Sequence, residues 1–201
     1  MNDRASLTAM PDVESLDQAE RATLGPAANV LRLRPAGADD AGVVHALYLA
    51  TPAYFDAIGK PVPTASEVRT DLTLAERDER RHVVLAVLDD RTASATLPAG
   101  VPRDAVSDAP VVAYVDYKLD YPDVGDATVN LLLVHGALHS RGYGAAIVAA
   151  LEERMRGGVR RVLASIYGSN PRAKRFWERL GYRFAIDARP VLEWYGKRLD
   201  T

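Results

Sequence analysis

The 201-residue chain contains no cysteine. Disulfides, thiolate zinc sites, thiol redox chemistry and cysteine nucleophiles are therefore excluded. No apolar run is longer than a strand, so no segment is expected to span a bilayer. Met1 to Pro11 lack the apolar core of a signal peptide, and cytoplasmic residence is the simplest expectation. No long Lys/Arg run offers itself to an anionic membrane. A balance of 25 basic against 27 acidic residues, net charge −2, is not that of a general nucleic-acid binder. Internal repeats of solenoid length are also missing. What is present, 48% hydrophobic and 26% charged residues, suits one packed domain with a tail.

Residues 1–28 read as that tail, with five acids (Asp3, Asp12, Glu14, Asp17, Glu20) against two bases (Arg4, Arg21). A short helix over Asp12–Thr23, ended by Gly25-Pro26, is one reading, and a poorly ordered terminus is the other. Residues 29–201 read as the domain. Val30 to Arg34 alternates as a strand does. A helix is expected from Asp39, interrupted at Thr51-Pro52, with Tyr54, Phe55 and Ile58 continuing its apolar face to Gly59. Thr64-Ala65-Ser66-Glu67 is a capping box that starts the next helix. His82–Leu88 is a strand covered on both faces. Residues 89–110 read as a long exposed hairpin loop. Strands at Val111–Leu119 and Ala127–Val134, a helix over Gly142–Arg156 and a strand at Val159–Ile166 follow. A helix then opens at Asn170-Pro171, and two short strands lie near Tyr182–Ile186 and Val191–Leu199. The expected order is β-α-α-β-β-β-α-β-α-β-β, an α/β chain of the α+β kind.

Leu132-Leu133-Val134 runs through a short loop into Arg141-Gly142-Tyr143-Gly144 at a helix start. Such a turn offers main-chain N–H groups at the positive end of a helix dipole, which suits phosphate. The glycines could equally serve only the strand-to-helix turn. A dinucleotide fingerprint fails, because its third small residue would fall on Ile147. The Gly-Lys-Ser/Thr of a P-loop is absent.

His139-Ser140-Arg141-Gly142-Tyr143-Gly144 resembles the acetyl-CoA signature of the GCN5-related N-acetyltransferase (GNAT) superfamily, with His139 where Arg or Gln is usual. Asn170-Pro171-Arg172-Ala173-Lys174-Arg175-Phe176-Trp177, continuing to Gly181-Tyr182, resembles the same superfamily's second motif. Tyr54-Phe55 and Tyr121-Pro122 resemble one bacterial subgroup of it. The resemblance covers Val30 to Leu199. It implies a mixed, mostly antiparallel central sheet flanked by helices, with the fourth and fifth strands splayed to admit the pantetheine arm.

By position, the resemblance implies that the main chain of Leu132, Leu133 and Val134 pairs with that arm. The Leu132 N–H would stabilise the oxyanion. His139 through Gly144 would hold the pyrophosphate. Asn170 matches a residue that contacts the cofactor arm, or else only caps its helix. Arg172 and Lys174 would lie near the phosphates or on a solvated helix face. Trp177 stands where many members carry a tyrosine that protonates the departing thiolate.

The general base is not evident. Thr128 occupies the position of one branch's glutamate, and a threonine is no base. Asp116, on a strand face with Tyr114 and Lys118, is the first alternative, as base or as receiver of an ammonium group; Asp126 is the second. His135 and His139 are near, but nothing completes a metal-ligand spacing, so no metal is expected.

The implied function is transfer of an acetyl group from acetyl-CoA, as co-substrate, to a primary amine of a small molecule or peptide. The acceptor would depend on loops around Tyr54, Phe55 and Pro61–Pro63. The protein would act as a monomer or homodimer with no nucleic-acid or membrane partner. The rival reading is a non-catalytic acyl-CoA sensor or interaction module on the same fold.

Overall fold

The computed structural model describes residues 31–88, 97–168, 170–188 and 192–199. The tail, where a helix over Asp12–Thr23 was one reading, and the first part of the 89–110 loop lie outside the described residues. Strand β1 (Leu31–Pro35) leads into helices α1 (Ala41–Leu49), α2 (Pro52–Ile58) and α3 (Ala65–Arg77). The interrupted first helix is thus two helices. Pro52 has no N–H to continue the α1 ladder and its ring crowds the preceding turn, so it becomes the first residue of α2. The Thr51 hydroxyl closes the end of α1 by donating to the Leu47 carbonyl at 3.0 Å. The capping box forms at α3, where Thr64 Oγ1 accepts from Glu67 N at 3.3 Å and Glu67 Oε2 accepts from Thr64 N at 2.7 Å.

Strands β2 (Arg81–Leu88), β3 (Val111–Leu119) and β4 (Asp126–Val134) follow. Then come α4 (Tyr143–Met155), β5 (Arg161–Tyr167), α5 (Pro171–Arg179), β6 (Arg183–Ala188) and β7 (Leu192–Arg198). The seven strands form one sheet in the order β1-β2-β3-β4-β5-β7-β6. Only β4 and β5 run parallel; every other neighbouring pair is antiparallel. On one face Val84, Ala86 and Leu88 of β2 meet Ile147, Leu151 and Met155 of α4 and Trp177 of α5. On the other, Val83, Leu85 and Val87 meet Leu47, Phe55 and Leu72 of α1 to α3. That alternation within one continuous apolar run is what two covered faces require.

The second half of the 89–110 loop is not the open excursion its composition suggested. From Leu97 it lies on the sheet, with Val111 N donating to Pro102 O at 2.8 Å and a bridge between Arg103 and Pro110. Asp104 is 2% exposed and ion-paired with Arg34 of β1. An ion pair bridging 70 positions leaves no local trace in composition.

Candidate functional site

The register of β4 creates the site. It pairs with β5 only over Asp126–Val129 against Arg161–Ala164. Beyond Val129 the β4–β5 ladder stops, with a last contact from the Ser165 hydroxyl to Asn130 O at 3.3 Å, and β4 continues its ladder with β3. An antiparallel ladder turns the main chain of alternate residues toward its neighbour. His135 N donates to Val112 O at 2.9 Å. Two residues back, Leu133, opposite Tyr114, therefore also bonds to β3. Leu132, opposite Val115, turns its N–H and C=O into the gap, and Val134, opposite Ala113, turns its N–H there while its carbonyl accepts from the His139 ring. Of the three β4 residues expected to meet the pantetheine arm, Leu132 and Val134 have the geometry. Leu133 contributes its place on the wall, with its main chain committed to β3.

A cleft of about 820 Å³ opens along this gap, a volume suited to a small-molecule ligand. One end is formed by Leu132, Val134, His139, Ser140, Gly142, Tyr143, Gly144 and Asn170. Here β4 passes into α4. Ser140 has φ 62° and Gly142 φ 88°, two left-handed positions that curl the main chain into a nest of N–H groups. No side chain caps the α4 N-terminus and no acid lies in its first turn, so the positive end of the helix is uncompensated. Arg172, Arg175 and Arg179 of α5 line the same cleft, and among the described residues no Asp or Glu lines it. The environment is that of an anion site.

The remaining signature residues divide by what they touch. The His139 ring contacts the Val134 carbonyl at 2.8 Å through Nε2. A carbonyl only accepts, so Nε2 carries the proton and the ring pins the loop to the end of β4. Burial first, and then the Arg172 charge, depress its pKa, although the bond to Val134 opposes them. Arg141 is exposed and its side chain is not on the cleft wall; Arg172, Arg175 and Arg179 supply the charge there instead. A Cβ built on Gly144 would meet the Phe176 ring at 3.1 Å. That glycine lets α4 and α5 approach, as well as opening the cleft. Asn170 Oδ1 caps α5 by accepting from Ala173 N at 3.0 Å. The cap uses its oxygen and leaves the amide nitrogen to a ligand, so the two readings of Asn170 coexist. Trp177 is 5% exposed, edge-on to Phe176 and against Tyr182, yet still reaches the cleft wall.

The cleft wall also includes Thr51, Tyr54, Ala57, Asn130, Leu131, Ser165 and Tyr167. Phe55 instead packs in the core against Tyr48, so of the Tyr54-Phe55 pair only Tyr54 faces the cleft. Burial, then the Asp116 charge, raise the Tyr54 pKa, which keeps the phenol protonated and unsuited to act as a base.

Asp116 is not on the cleft wall. It is 6% exposed and accepts from Arg81 Nη2 at 2.5 Å and from Asn130 Nδ2 at 3.0 Å. Arg81 also binds Asp71. Burial opposes the Arg81 charge, but hydrogen bonds to Asp71 and Asp116 outweigh it and raise its pKa. Asp116 was expected to touch the substrate; here both of its carboxylate oxygens are engaged by Arg81 and Asn130. Asp126, the second candidate, is 3% exposed and ion-paired with Arg161. Thr128 is fully buried and donates to Tyr121 O at 2.7 Å. His135 is buried as well, and its Nδ1 accepts from Ala137 N. Among the described residues, no cluster of His, Cys, Asp or Glu could hold a metal ion.

Two features of the site were missed from the sequence. Arg175 and Arg179 fall with Arg172 at i, i+3 and i+7, one stripe of a helix, and that spacing could have found them. Asn130 reaches the wall at a register shift between β3 and β4, which nothing local announces.

Residues 65–182 match the acetyltransferase (GNAT) family. The chain is 34% identical to an acetyltransferase from Thermus thermophilus, over 85% of this chain and 97% of that one, with a TM-score of 0.71. It shares its fold, at 14% identity and a TM-score of 0.65, with a Salmonella typhimurium acetyltransferase that modifies the N-terminal serine of ribosomal protein L7/L12, over 87% of this chain and 98% of that one. A ribosomal L7/L12 α-N-protein acetyltransferase in complex with coenzyme A aligns at 14% identity and a TM-score of 0.61, over 87% and 97%. No curated protein matches the chain.

Proposed function

Because this chain belongs to the acetyltransferase (GNAT) family, and is thus an acyltransferase with acetyl-CoA as co-substrate, we propose that its acceptor is a primary amine of a small molecule or peptide, attacked directly within the cleft. The observation that carries this is the gap between β4 and β5, where Leu132 and Val134 offer main chain to an extended arm that ends at the α4 nest. The amine lone pair forms a bond to the acetyl carbon. The carbonyl oxygen takes up negative charge beside the Leu132 N–H, which is placed to stabilise it. The C–S bond then breaks and CoA leaves as a thiolate. The amine proton passes to water, since among the described residues no carboxylate lines the cleft. No covalent enzyme intermediate is needed.

The same lack of acids bears on the acceptor. A wall that among the described residues has three arginines and no carboxylate disfavours polycations, and Lys60 sits 4.8 Å from the centre of the Tyr167 ring, at the end where the acceptor would enter. Amino acids and peptide N-termini fit better than polyamines or aminoglycosides. The reaction would take place in the cytoplasm, as monomer or homodimer. An acetyl-transfer screen over these four classes, reading released CoA, tests the reading. Release with amino acids or peptides is expected. Preference for polyamines would overturn the acceptor class. Tight acetyl-CoA binding with no CoA release from any amine would instead favour the sensor, a reading that the acid-free wall and the tryptophan at 177 support.

A further inference from the structure

We propose that the side-chain carbonyl of Asn130 receives the acceptor amine, and that Asp116 and Arg81 are positioning residues that hold the amide in that orientation; this rests on the acetyltransferase reading above. A primary amide has a donor end and an acceptor end, and a flip exchanges them. Asn130 Nδ2 donates to Asp116 Oδ1 at 3.0 Å. The flipped amide would set its oxygen against a carboxylate oxygen, two acceptors with no proton between them. The orientation is thereby fixed, with Oδ1 directed away from Asp116. Asp116 is itself held by Arg81 Nε at 3.0 Å and Nη2 at 2.5 Å, and Arg81 is held by Asp71 at 2.7 Å. The chain Asp71–Arg81–Asp116–Asn130 ties α3, β2, β3 and β4 together. Its last member alone reaches the cleft wall.

The chemistry favours an amide at that position. The nucleophile must be a neutral amine with its lone pair free. A carboxylate touching it would stabilise the ammonium form and raise its pKa. A carboxamide oxygen accepts an N–H without that full charge. Asn130 lies two residues before Leu132 on one strand, about 7 Å along the chain. An amine bound at Asn130 is therefore within reach of a thioester whose oxygen points at the Leu132 N–H.

The test is steady-state kinetics with the best amine from the screen, alongside acetyl-CoA binding by calorimetry. Asn130→Ala should lower kcat/KM for the amine at least ~10-fold, mainly through KM, with acetyl-CoA affinity within ~3-fold of wild type. Asp116→Asn offers one oxygen where Asp116 uses two; with that oxygen on Arg81 its –NH2 faces Asn130 and flips the amide, so kcat/KM should fall about as in Asn130→Ala, ~10-fold and mainly through KM, with the acidic limb of the pH profile retained. Asp116→Ala should match the loss in Asn130→Ala, and the double variant should be no worse than Asn130→Ala alone. If Asp116 were the general base, the loss in Asp116→Asn would fall on kcat rather than KM and the acidic limb of the pH profile would vanish. That result, or a wild-type kcat/KM in Asn130→Ala, overturns the proposal while leaving the acetyltransferase reading intact. Should Asp116→Ala fail to fold, Asn130→Ala and Asp116→Asn still decide. A wild-type protein that releases no CoA with any amine overturns both readings together.

Discussion

Trp177 illustrates how one residue can serve the core and the cleft at once. Its indole is sandwiched between Phe176 and Tyr182, and packing alone would select a large aromatic there. An indole N–H donates a hydrogen bond but is far too weak an acid to protonate a thiolate. A thiol has a pKa near about 8.5, so the thiolate is a tolerable leaving group near neutral pH. Trp177→Phe should therefore reduce the melting temperature and acetyl-CoA affinity, with turnover within ~10-fold of wild type. Thermal melting, calorimetry and CoA release measured on one sample check this. Normal acetyl-CoA binding with a loss of more than ~100-fold in turnover would instead assign the indole a chemical step. The two roles of Trp177 follow from its place in a motif, which is visible in the sequence. Asp116 is the opposite case. Its strand face with Tyr114 and Lys118 was readable from alternation, but Arg81 lies 35 positions away, and that partner decides what the carboxylate can do.

At the scale of elements, boundaries marked by backbone chemistry were legible and long-range pairings were not. The capping box at Thr64, the Asn170 cap and the strand Val111–Leu119 appear where the sequence puts them, because each depends on a few adjacent residues. The split of α1 from α2 has its cause in Pro52, equally local. The parting of β4 from β5 was legible only through family resemblance, since it depends on which strands pair. Nor does composition reveal that Leu132 and Leu133 differ, although the register does. This gives a direct prediction. Without ligand the amides of Leu132 and Val134 should exchange with solvent quickly, and that of Leu133, paired across to Tyr114, slowly. Added acetyl-CoA should slow Leu132 and Val134 and leave Leu133 nearly unchanged. Hydrogen exchange followed residue by residue by NMR tests it; equal protection of all three amides in the free protein would mean that β4 faces no open gap.

For the whole molecule, three histidines couple the fold to pH in one direction. Burial depresses the pKa of His82, with help from the Arg154 charge. Burial likewise depresses that of His135, against a backbone bond to Gly100, and that of His139. His82 lies at the start of β2, whereas His135 and His139 flank the end of β4 and the charge of one opposes the charge of the other, so the His82 effect should add to a coupled effect of that pair. An unfolded histidine has a pKa of about 6.5. As pH falls through that value, the unfolded chain takes up protons that the folded chain still refuses, and the balance moves toward unfolding. Stability from these groups is complete above pH ~6.5 and declines below it. Three carboxylates act in the same sense but in a lower window, below the ordinary values of about 3.9 for Asp and about 4.3 for Glu: Glu67, held low by its hydrogen bonds from Thr64, and two aspartates. Asp78 is held low by Lys118, and Asp104, against its own burial, by Ser107 and Arg34. The two regimes should therefore separate. The urea midpoint should hold steady from about pH 8 to about 7 and fall from about 6.5 to about 5. His139→Gln retains an amide N–H donor for the Val134 carbonyl and removes one titrating group, so it should make that fall shallower. A midpoint flat from about pH 7 to about 5 in the wild-type protein would show that these imidazoles titrate alike in the folded and unfolded chains.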